Sequence, residues 1–445
     1  MNLPAPSLEG LTPQRLEDLA AARFELATLG FNEASLRERM GLPESSESSW
    51  YLAELLSPHL VLPPEGATAL DLLIGLFLVG GSVPRNWLEA ELSAESFAAL
   101  VEAGVLAVDG PRVQASVAMV PVFDLLLLCD RRSRMGARDF VFFPDHSTAA
   151  TARFLAPHSR TGRLALDVGT GSGALALSHA RSGRFQTVIG QDPNPRAVQM
   201  ARVSAALNGL AVTFEVAGAE ALAQRPAHQV DLLTFVFPQL YTAGFTEAIS
   251  IIAERGDALL DEVYGALDRV LAPGGEAVLF HQTRAPSRTE LVRRLGEIPG
   301  TAPLRLVWTA LPNKLAGAEF GLAWVRRDGP APFVYVESEA IEPGLDSVAS
   351  RVAALQRLDA PDWLAARVAL RPQLLVSEVW GESQGRLRPE RATLIGGRVY
   401  GESLLRILAR IDGQGPLSAA LGEDDSEHTR AEVRELVARG VLLLR

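Results

Sequence analysis

The chain has 445 residues, enough for two or three domains at roughly 100 to 200 residues each. An apolar share of 48% allows a sizeable core, and a net charge of −11 disfavours the uniformly basic surface that holds nucleic acid by counterion release. The single cysteine, Cys129, excludes an intrachain disulfide and a multi-cysteine zinc site, and the seven histidines show no ligand spacing, so no metal is expected.

The first residues, "MNLPAPSLEGLTPQRLEDLAAARFEL", lack a basic start followed by an apolar core and do not read as a signal peptide. The longest apolar run, "ALDLLIGLFLVGG", is too short to cross a bilayer and reads as a buried helix. A cytoplasmic protein with no membrane partner is expected. The stretch "DLLIGLFLVGGSVPRNWLEAELSAESFAALVEAGVLAV" predicts helix, glycine-containing turn, short helix, polar break, helix, then "GVL" opening a strand. A weak second copy, "LLRILARIDGQGPLSAALGEDDSEHTRAEVRELVARGVLLL", lies near the other end. This is the order of winged helices, and equally of any compact helical module. The candidate recognition helices carry Glu95 and Glu102, and Glu432 and Glu435, where a groove reader would offer basic and amide side chains. Protein contact or substrate docking is the better reading. The basic run "RRSRMGAR", Arg131 to Arg138, reads as a solvated linker into the central region.

The middle of the chain alternates strands and helices in the manner of a doubly wound α/β sheet. "RLALDVG", "QTVIGQD", "AVTFEVA", "VDLLTFVF" and "GEAVLFHQ" are predicted strands. Helices are predicted over "GALALSHARSG", "NPRAVQMARVSAALNG" and "GDALLDEVYGALDRVLAPGG". After "TELVRRLGEI", the runs "LRLVWTAL" and "FGLAWVRR" complete a count of seven strands as an antiparallel pair. In "LALDVGTGSGALAL" the first strand feeds into Gly169, Gly171 and Gly173, a G-x-G-x-G pattern that lets a ligand approach main chain without a Cβ in the way. Such a loop is weak evidence alone. Nineteen residues after Gly173, Asp192 closes the second strand, where a carboxylate can accept ribose hydroxyls, and Glu220 follows Gly218 after the third.

Strand, Asp167, three glycines, Asp192 and Glu220 stand in the order and spacing of class I S-adenosylmethionine-dependent methyltransferases, and the chain resembles that family from roughly Phe140 to Arg326. The other reading is a Rossmann-like domain binding NAD or nothing, and the spacing of the third glycine argues against NAD. The resemblance implies a Rossmann-like seven-stranded core with S-adenosyl-L-methionine as cofactor. It places Asp167 near the methionine amino group, directly or through water, and the main chain from Gly169 through Thr170 and Gly171 to Gly173 beside the methionine part. Asp192 with Pro193 would hold the sugar, and Glu220 would lie close to the adenine. Upstream, "FVFFPDHSTAATARFL" resembles the segment these enzymes lay over the cofactor, with Pro144 and Thr148 at its conspicuous positions. An ordinary loop into a helix capped by Ser147 or Thr148 reads as well.

The wider likeness is to the enzymes acting on ribosomal RNA guanine and on release-factor glutamine, whose fourth strand ends in Asn-Pro-Pro-Tyr. In those enzymes the asparagine oxygen and a main-chain carbonyl accept the target N–H bonds. "VDLLTFVFPQLY" puts Val236 at the asparagine, Phe237 at the first proline, Pro238 at the second and Gln239 at the aromatic position. Valine accepts no hydrogen bond, and losing one good contact to an amide costs about 1 to 3 kcal/mol. Three readings stay open: neighbours substitute, with Gln239, Tyr241, Phe235 and Phe237 available; a better nucleophile is used, with His281 as its base; or the domain binds cofactor without catalysis. His281 also reads as a hydrogen-bonded residue at a strand end.

The organisation expected is a helical, winged-helix-like module over 1–138, a methyltransferase domain over 139–328 and a second winged-helix-like module over 329–445. The function expected is methyl transfer to a macromolecular acceptor, protein favoured over RNA or DNA. The alternatives are an inactive cofactor-binding regulatory or interaction protein, and a small-molecule O- or N-methyltransferase. The sequence leaves the acceptor atom and the oligomeric state open.

Overall fold

A computed structural model describes residues 5–40, 67–134, 137–156, 161–237, 256–283, 304–315, 318–327, 334–336, 368–370, 376–383, 386–394, 398–400, 402–411, 414–438 and 442–444. The chain forms two compact units, Met1–Ala152 with Ser159–Phe280, and Arg153–His158 with His281–Arg445.

In the first unit, helices α1 (Pro13–Thr28) and α2 (Glu33–Met40) precede α3, which runs over Ala69–Leu73 and continues as a π-helical stretch, Ile74–Val79. Thr68 and Asp71 form a capping box at the start of α3, and Ile74, Leu76, Phe77 and Leu78 are buried, as expected for this apolar run. Strand β1 (Ser82–Pro84), helices α4 (Arg85–Glu91) and α5 (Ala94–Glu102), and strands β2 (Leu106–Asp109) and β3 (Arg112–Ala115) follow. The three strands pair antiparallel in the order β1-β3-β2.

A hairpin of β4 (Ala118–Val122) and β5 (Leu125–Cys129) comes next, buried at every position. Its two-residue turn sets Phe123 and Asp124 both at φ 55°, the left-handed region that Asn-Gly ordinarily fills. The neighbours hold it there. Glu33 accepts the Phe123 amide at 2.7 Å, Arg23 donates to the Asp124 carbonyl at 2.6 Å, and Arg181 pairs with the Asp124 carboxylate at 2.8 Å.

In the basic run after the hairpin, Arg131 and Arg134 are bound to the protein where the sequence reads a solvated linker, and Arg138 is exposed. Arg131 donates to the carbonyls of Ala115, Leu76 and Val117 at 2.9 to 3.1 Å, and Arg134 pairs with Asp130 and Asp139. Buried carbonyls at the ends of β3 and α3 need donors, and a guanidinium reaches three at once.

Helix α6 (His146–Leu155) leads to the doubly wound part: β6 (Gly162–Val168), α7 (Ala174–Arg181), β7 (Phe185–Asp192), α8 (Pro195–Leu207), β8 (Thr213–Val216), a 3₁₀ turn (Ala219–Gln224), β9 (Val230–Val236), α9 (Gly256–Val270) and β10 (Leu271–Thr283). All five strands are parallel, in the order β10-β9-β6-β7-β8. Parallel strands covered on both faces must be apolar throughout, which is why Ala165, Leu166, Leu233, Val278 and Leu279 are buried.

In the second unit the two closing runs form β11 (Leu304–Leu315) and β12 (Ala318–Arg327), antiparallel as expected. A strand that the sequence reading did not include, β13 (Val334–Val336), pairs parallel with β11, so the strands exceed the seven counted from sequence. Further on lie β14 (Val368–Leu370), β15 (Val376–Ser383), β16 (Arg386–Leu394), β17 (Arg398–Tyr400), α10 (Glu402–Arg410), α11 (Leu417–Leu421), α12 (Glu427–Ala438) and β18 (Leu442–Leu444). The second copy of the suggested repeat thus has its three helices, but its last strand pairs back to β14, where the first copy closes a forward hairpin. The stretch "TELVRRLGEI" lies outside the described residues. Among the described residues no helix is long and apolar enough to cross a membrane.

Candidate functional site at the carboxyl edge of the parallel sheet

The glycine loop follows β6 because three successive alternate residues take backbone angles that a side chain resists: Gly169, Gly171 and Gly173 have φ of 62°, 54° and 87°. Their surroundings differ. A Cβ on Gly169 would lie 2.8 Å from the ring of Phe235, and one on Gly173 would lie 3.2 Å from Ala201 and 3.3 Å from Phe214. At Gly171 a Cβ would meet nothing within 4 Å. Two of the glycines therefore let protein pack closely, and the middle one faces open space where a ligand can reach main chain.

Asp192, at the end of β7, points to this loop. One carboxylate oxygen accepts the Gly171 amide at 2.9 Å and the other accepts the Asn194 amide at 2.9 Å. Burial lifts its pKa and the two amide bonds oppose that. A carboxylate offers about four acceptor positions. Two are used here, so acceptor capacity remains for hydroxyl groups of a ligand. Pro193 follows, and Asn194 caps α8 by accepting the Arg196 amide at 3.0 Å, with Pro195 in the first helical position.

Asp167 stands near the end of β6 and is 2% exposed. Thr170 donates to one of its oxygens at 2.7 Å and Thr234, on β9, to the other at 2.7 Å. Burial pushes this carboxyl up to about 6, against the lowering effect of the two hydroxyl bonds. His179 on α7 lies 3.3 Å from the Thr234 hydroxyl. Since that hydroxyl gives its proton to Asp167, the imidazole donates through Nε2. Burial holds the ring neutral, with its pKa down near 3 and the Arg184 charge adding to the effect. The sequence reading singled out Asp167 and Thr170 but neither His179 nor Thr234. Both sit at positions whose pattern asks only for an apolar residue.

Gln191 is a second omission. Fully buried, it donates to the Gly218 carbonyl at 2.7 Å and accepts from Arg225 at 2.7 Å, and Arg225 also pairs with Glu215 at 2.6 Å. These bonds fix the turn after β8. Glu220 in that turn is exposed and accepts the Gly218 amide at 3.1 Å.

Thr148 does not cap α6. Asp145 does, accepting the amides of Ser147 at 3.0 Å and Thr148 at 3.2 Å, because the helix begins at His146, and Ser147 and Thr148 already stand inside its first turn.

At the end of β9, Val236 is half-buried and registered opposite Phe280 of β10. The next residue, Phe237, donates its amide to the Phe280 carbonyl at 2.9 Å, and its ring lies 4.1 Å from that of Phe235. No side-chain acceptor stands at position 236. Pro238, Gln239 and Tyr241 lie outside the described residues. His281 is buried at the end of β10. Among the described residues no group of three histidine, cysteine or acidic side chains could hold a metal ion.

Residues 165–275 match the model of a methyltransferase domain, and residues 54–116 match a domain of unknown function. Over 130 residues the chain is 32% identical to the ribosomal protein L11 methyltransferase of Symbiobacterium thermophilum, an alignment covering 27% of this chain and 42% of that protein. The chain thus spans well under two thirds of that relative's length. Two solved structures are also similar. A ribosomal protein L11 methylase from Lactobacillus delbrueckii subsp. bulgaricus has 20% identity, covers 42% of this chain and 81% of that one, and superposes with a TM-score of 0.30. A 16S rRNA N2 methyltransferase from T. thermophilus has 16% identity, covers 66% of this chain and 57% of that one, and gives 0.31. The sequence match and the parallel α/β architecture agree on one point: residues 165–275 form a methyltransferase domain of the class I, S-adenosylmethionine-dependent kind.

Proposed function

We propose that the chain is an S-adenosylmethionine-dependent methyltransferase acting on a macromolecule in the cytoplasm, with protein favoured over nucleic acid as the acceptor. The observation that carries this reading is Asp192: a buried carboxylate fixed on the Gly171 amide, with acceptor capacity left over, beside a glycine that faces open space. In this reading Asp192 and Pro193 hold the sugar, and the main chain from Gly169 to Gly173 borders the amino-acid tail. Asp167, oriented by Thr170 and Thr234, supplies negative charge near the tail's ammonium group, and Glu220 lies toward the base. When bound, the cofactor supplies a methyl group already activated on a sulfonium. The protein's share is to bind, to place the acceptor and to exclude water.

The flanking modules, 1–138 and 329–445, are read as winged-helix-like and as docking surfaces for a large target. The order α3, β1, α4, α5, β2, β3 supports this for the first module. Its third helix does not read nucleic acid in this proposal, because α1 lies against it. Arg15 pairs with Glu102 at 2.9 Å, and Glu25 accepts from Ser93 and Ser96 at 2.8 to 3.0 Å. A helix held so is unsuited to entering a major groove.

Calorimetry with S-adenosylmethionine and S-adenosylhomocysteine tests the site. Both should bind the native chain, and Asp192→Ala should bind about a hundredfold more weakly, the size of two lost hydrogen bonds to a charged group. Absence of binding to the native chain would end the proposal. Labelled cofactor incubated with cell extract, then treated with nuclease or protease, identifies the acceptor; protease-sensitive label is expected.

Val236 supports a second reading, an inactive cofactor-binding regulator with a degenerate Asn-Pro-Pro-Tyr segment. The aliphatic side chain offers no acceptor where amide-methylating relatives place an asparagine. Label appearing with Val236→Asn but never with the native chain would favour it.

A further inference from the structure

We propose that Asp130 is a positioning residue for the cofactor edge, acting through Arg196 on the turn from Asp192 to Asn194, with the β4–β5 hairpin as the splint that holds it in place. The inference rests on S-adenosylmethionine binding at that edge and assigns a role to a residue outside the stretch 165–275.

The hairpin is fastened along α8 at both ends. Near the end of the helix, the Asn208 side chain completes the free edge of β5, accepting the Leu126 amide at 3.0 Å and donating to the Leu126 carbonyl at 2.8 Å. Farther along, Ser204 accepts the Leu128 amide at 2.9 Å. At the start of the helix the contact becomes ionic. Arg196 donates to one oxygen of Asp130 at 2.7 Å and to the other at 3.2 Å, a two-pronged pairing that fixes direction as well as distance.

Asp130 has an unusual setting for a surface-helix partner. Its side chain is 1% exposed, and it also accepts the Val141 amide at 2.9 Å and pairs with Arg134 at 3.1 Å. The Asn194 side chain is tied to the same segment, donating to the Asp139 carbonyl at 3.0 Å. Asn194 and Arg196 flank Pro195, so the first turn of α8 is held on both sides by residues 130–141. The Asn194 amide is in turn one of the two donors that orient Asp192.

The chain of contacts is therefore continuous from Asp130 to Arg196, through the capping residue Asn194, to the carboxylate that reaches the glycine loop. A buried carboxylate that loses the two-pronged one of its two guanidinium partners keeps only Arg134 and the Val141 amide, so its charge is less well compensated and the segment around it rearranges. Rearrangement here moves the cap of α8 and withdraws a donor from Asp192. At the hairpin's far end Arg181, the last residue of α7, pairs with Asp124 in the turn.

Full-length protein is titrated with S-adenosylhomocysteine by calorimetry, and the ligand-free melting temperature is measured in parallel. Asp130→Asn and Arg196→Gln should each bind about tenfold more weakly, the scale of one charge-assisted hydrogen bond. The double variant should bind no more weakly than the weaker single variant, since both act through one contact. Arg181→Gln should lower the melting temperature and leave affinity unchanged. Asp130→Asn melting lower with native affinity would overturn the inference, as would losses that add in the double variant. A native chain that fails to bind the ligand would instead sink the cofactor reading itself. Should Asp130→Asn not fold, Arg196→Lys keeps the charge without the fork and carries the same expected loss; native affinity there would equally overturn the proposal.

Discussion

The carboxyl ends of β7 and β9 lie on the same edge of one parallel sheet, yet they offer a ligand different things. At β7 a buried carboxylate sits on a loop amide with acceptor positions to spare. At β9 a half-buried valine stands between two phenylalanines whose tilted rings lie 4.1 Å apart. The first arrangement is dictated by backbone geometry and by the charge pattern of a common cofactor. The second depends on the acceptor, which differs among enzymes that share the fold.

Gly169 joins the two halves, and its substitution should have the largest effect. Gly169→Ala sets a Cβ 2.8 Å from the Phe235 ring and asks alanine to hold a φ of 62°. The left-handed conformation alone costs about 1 to 2 kcal/mol, and the ring must also move from its partner Phe237. The melting temperature should fall by about 2 to 8 °C, and S-adenosylhomocysteine binding should fall below detection. Native affinity in this variant would show that the ligand does not lie along the loop.

What was legible beforehand follows the same division. The five parallel strands, the helices between them, the positive-φ glycines and Asp192 all leave marks in the sequence, because each requires a residue type at a fixed spacing. The capping of α6 by Asp145 was less legible: the sequence offered Ser147 and Thr148, and the amides go instead to Asp145, two residues before Ser147. The basic run after Cys129 misled for a related reason. An arginine bound to three carbonyls from distant segments has the same local sequence as one in solvent. His179 and Thr234 gave no signal at all: each is a polar residue at an apolar position, and only the Asp167 carboxylate between β6 and β9 explains both.

Asp167 provides the next test, through pH. Its folded-state pKa is about 6, above the ordinary 3.8, so the native state binds the proton more tightly than the unfolded chain. The stability that this group contributes is fully present below 3.8 and is lost as pH rises through about 6. Cofactor binding should run the other way, since the ionised form is the one that attracts an ammonium group. Lowering the pH from about 7.5 to 5.5 should raise the ligand-free melting temperature through this carboxyl and weaken S-adenosylmethionine binding about fourfold, a fractional protonation effect. Burial raises the Asp192 pKa too and adds in the same direction, so Asp167→Asn is the control. It should remove one part of both slopes. Unchanged slopes would show that Asp167 is silent in this range.

The smallest effect is expected at Val236, and it bears most directly on the acceptor half. The side chain is half-buried at the end of β9, so Val236→Asn forfeits some apolar burial and strand preference, about 1 kcal/mol in all. If neighbours or a more reactive acceptor already do the work of the missing amide, the added oxygen has no N–H to accept. Methyl incorporation into the native acceptor should then change by less than about threefold, within 1 kcal/mol of transition-state stabilisation. A rise of about a hundredfold or more would mean that position 236 still faces an amide nitrogen and that valine cripples an otherwise ordinary site. The native rate, set beside that of the variant, therefore decides whether the β9 edge has been rebuilt for another acceptor or has merely lost its old one.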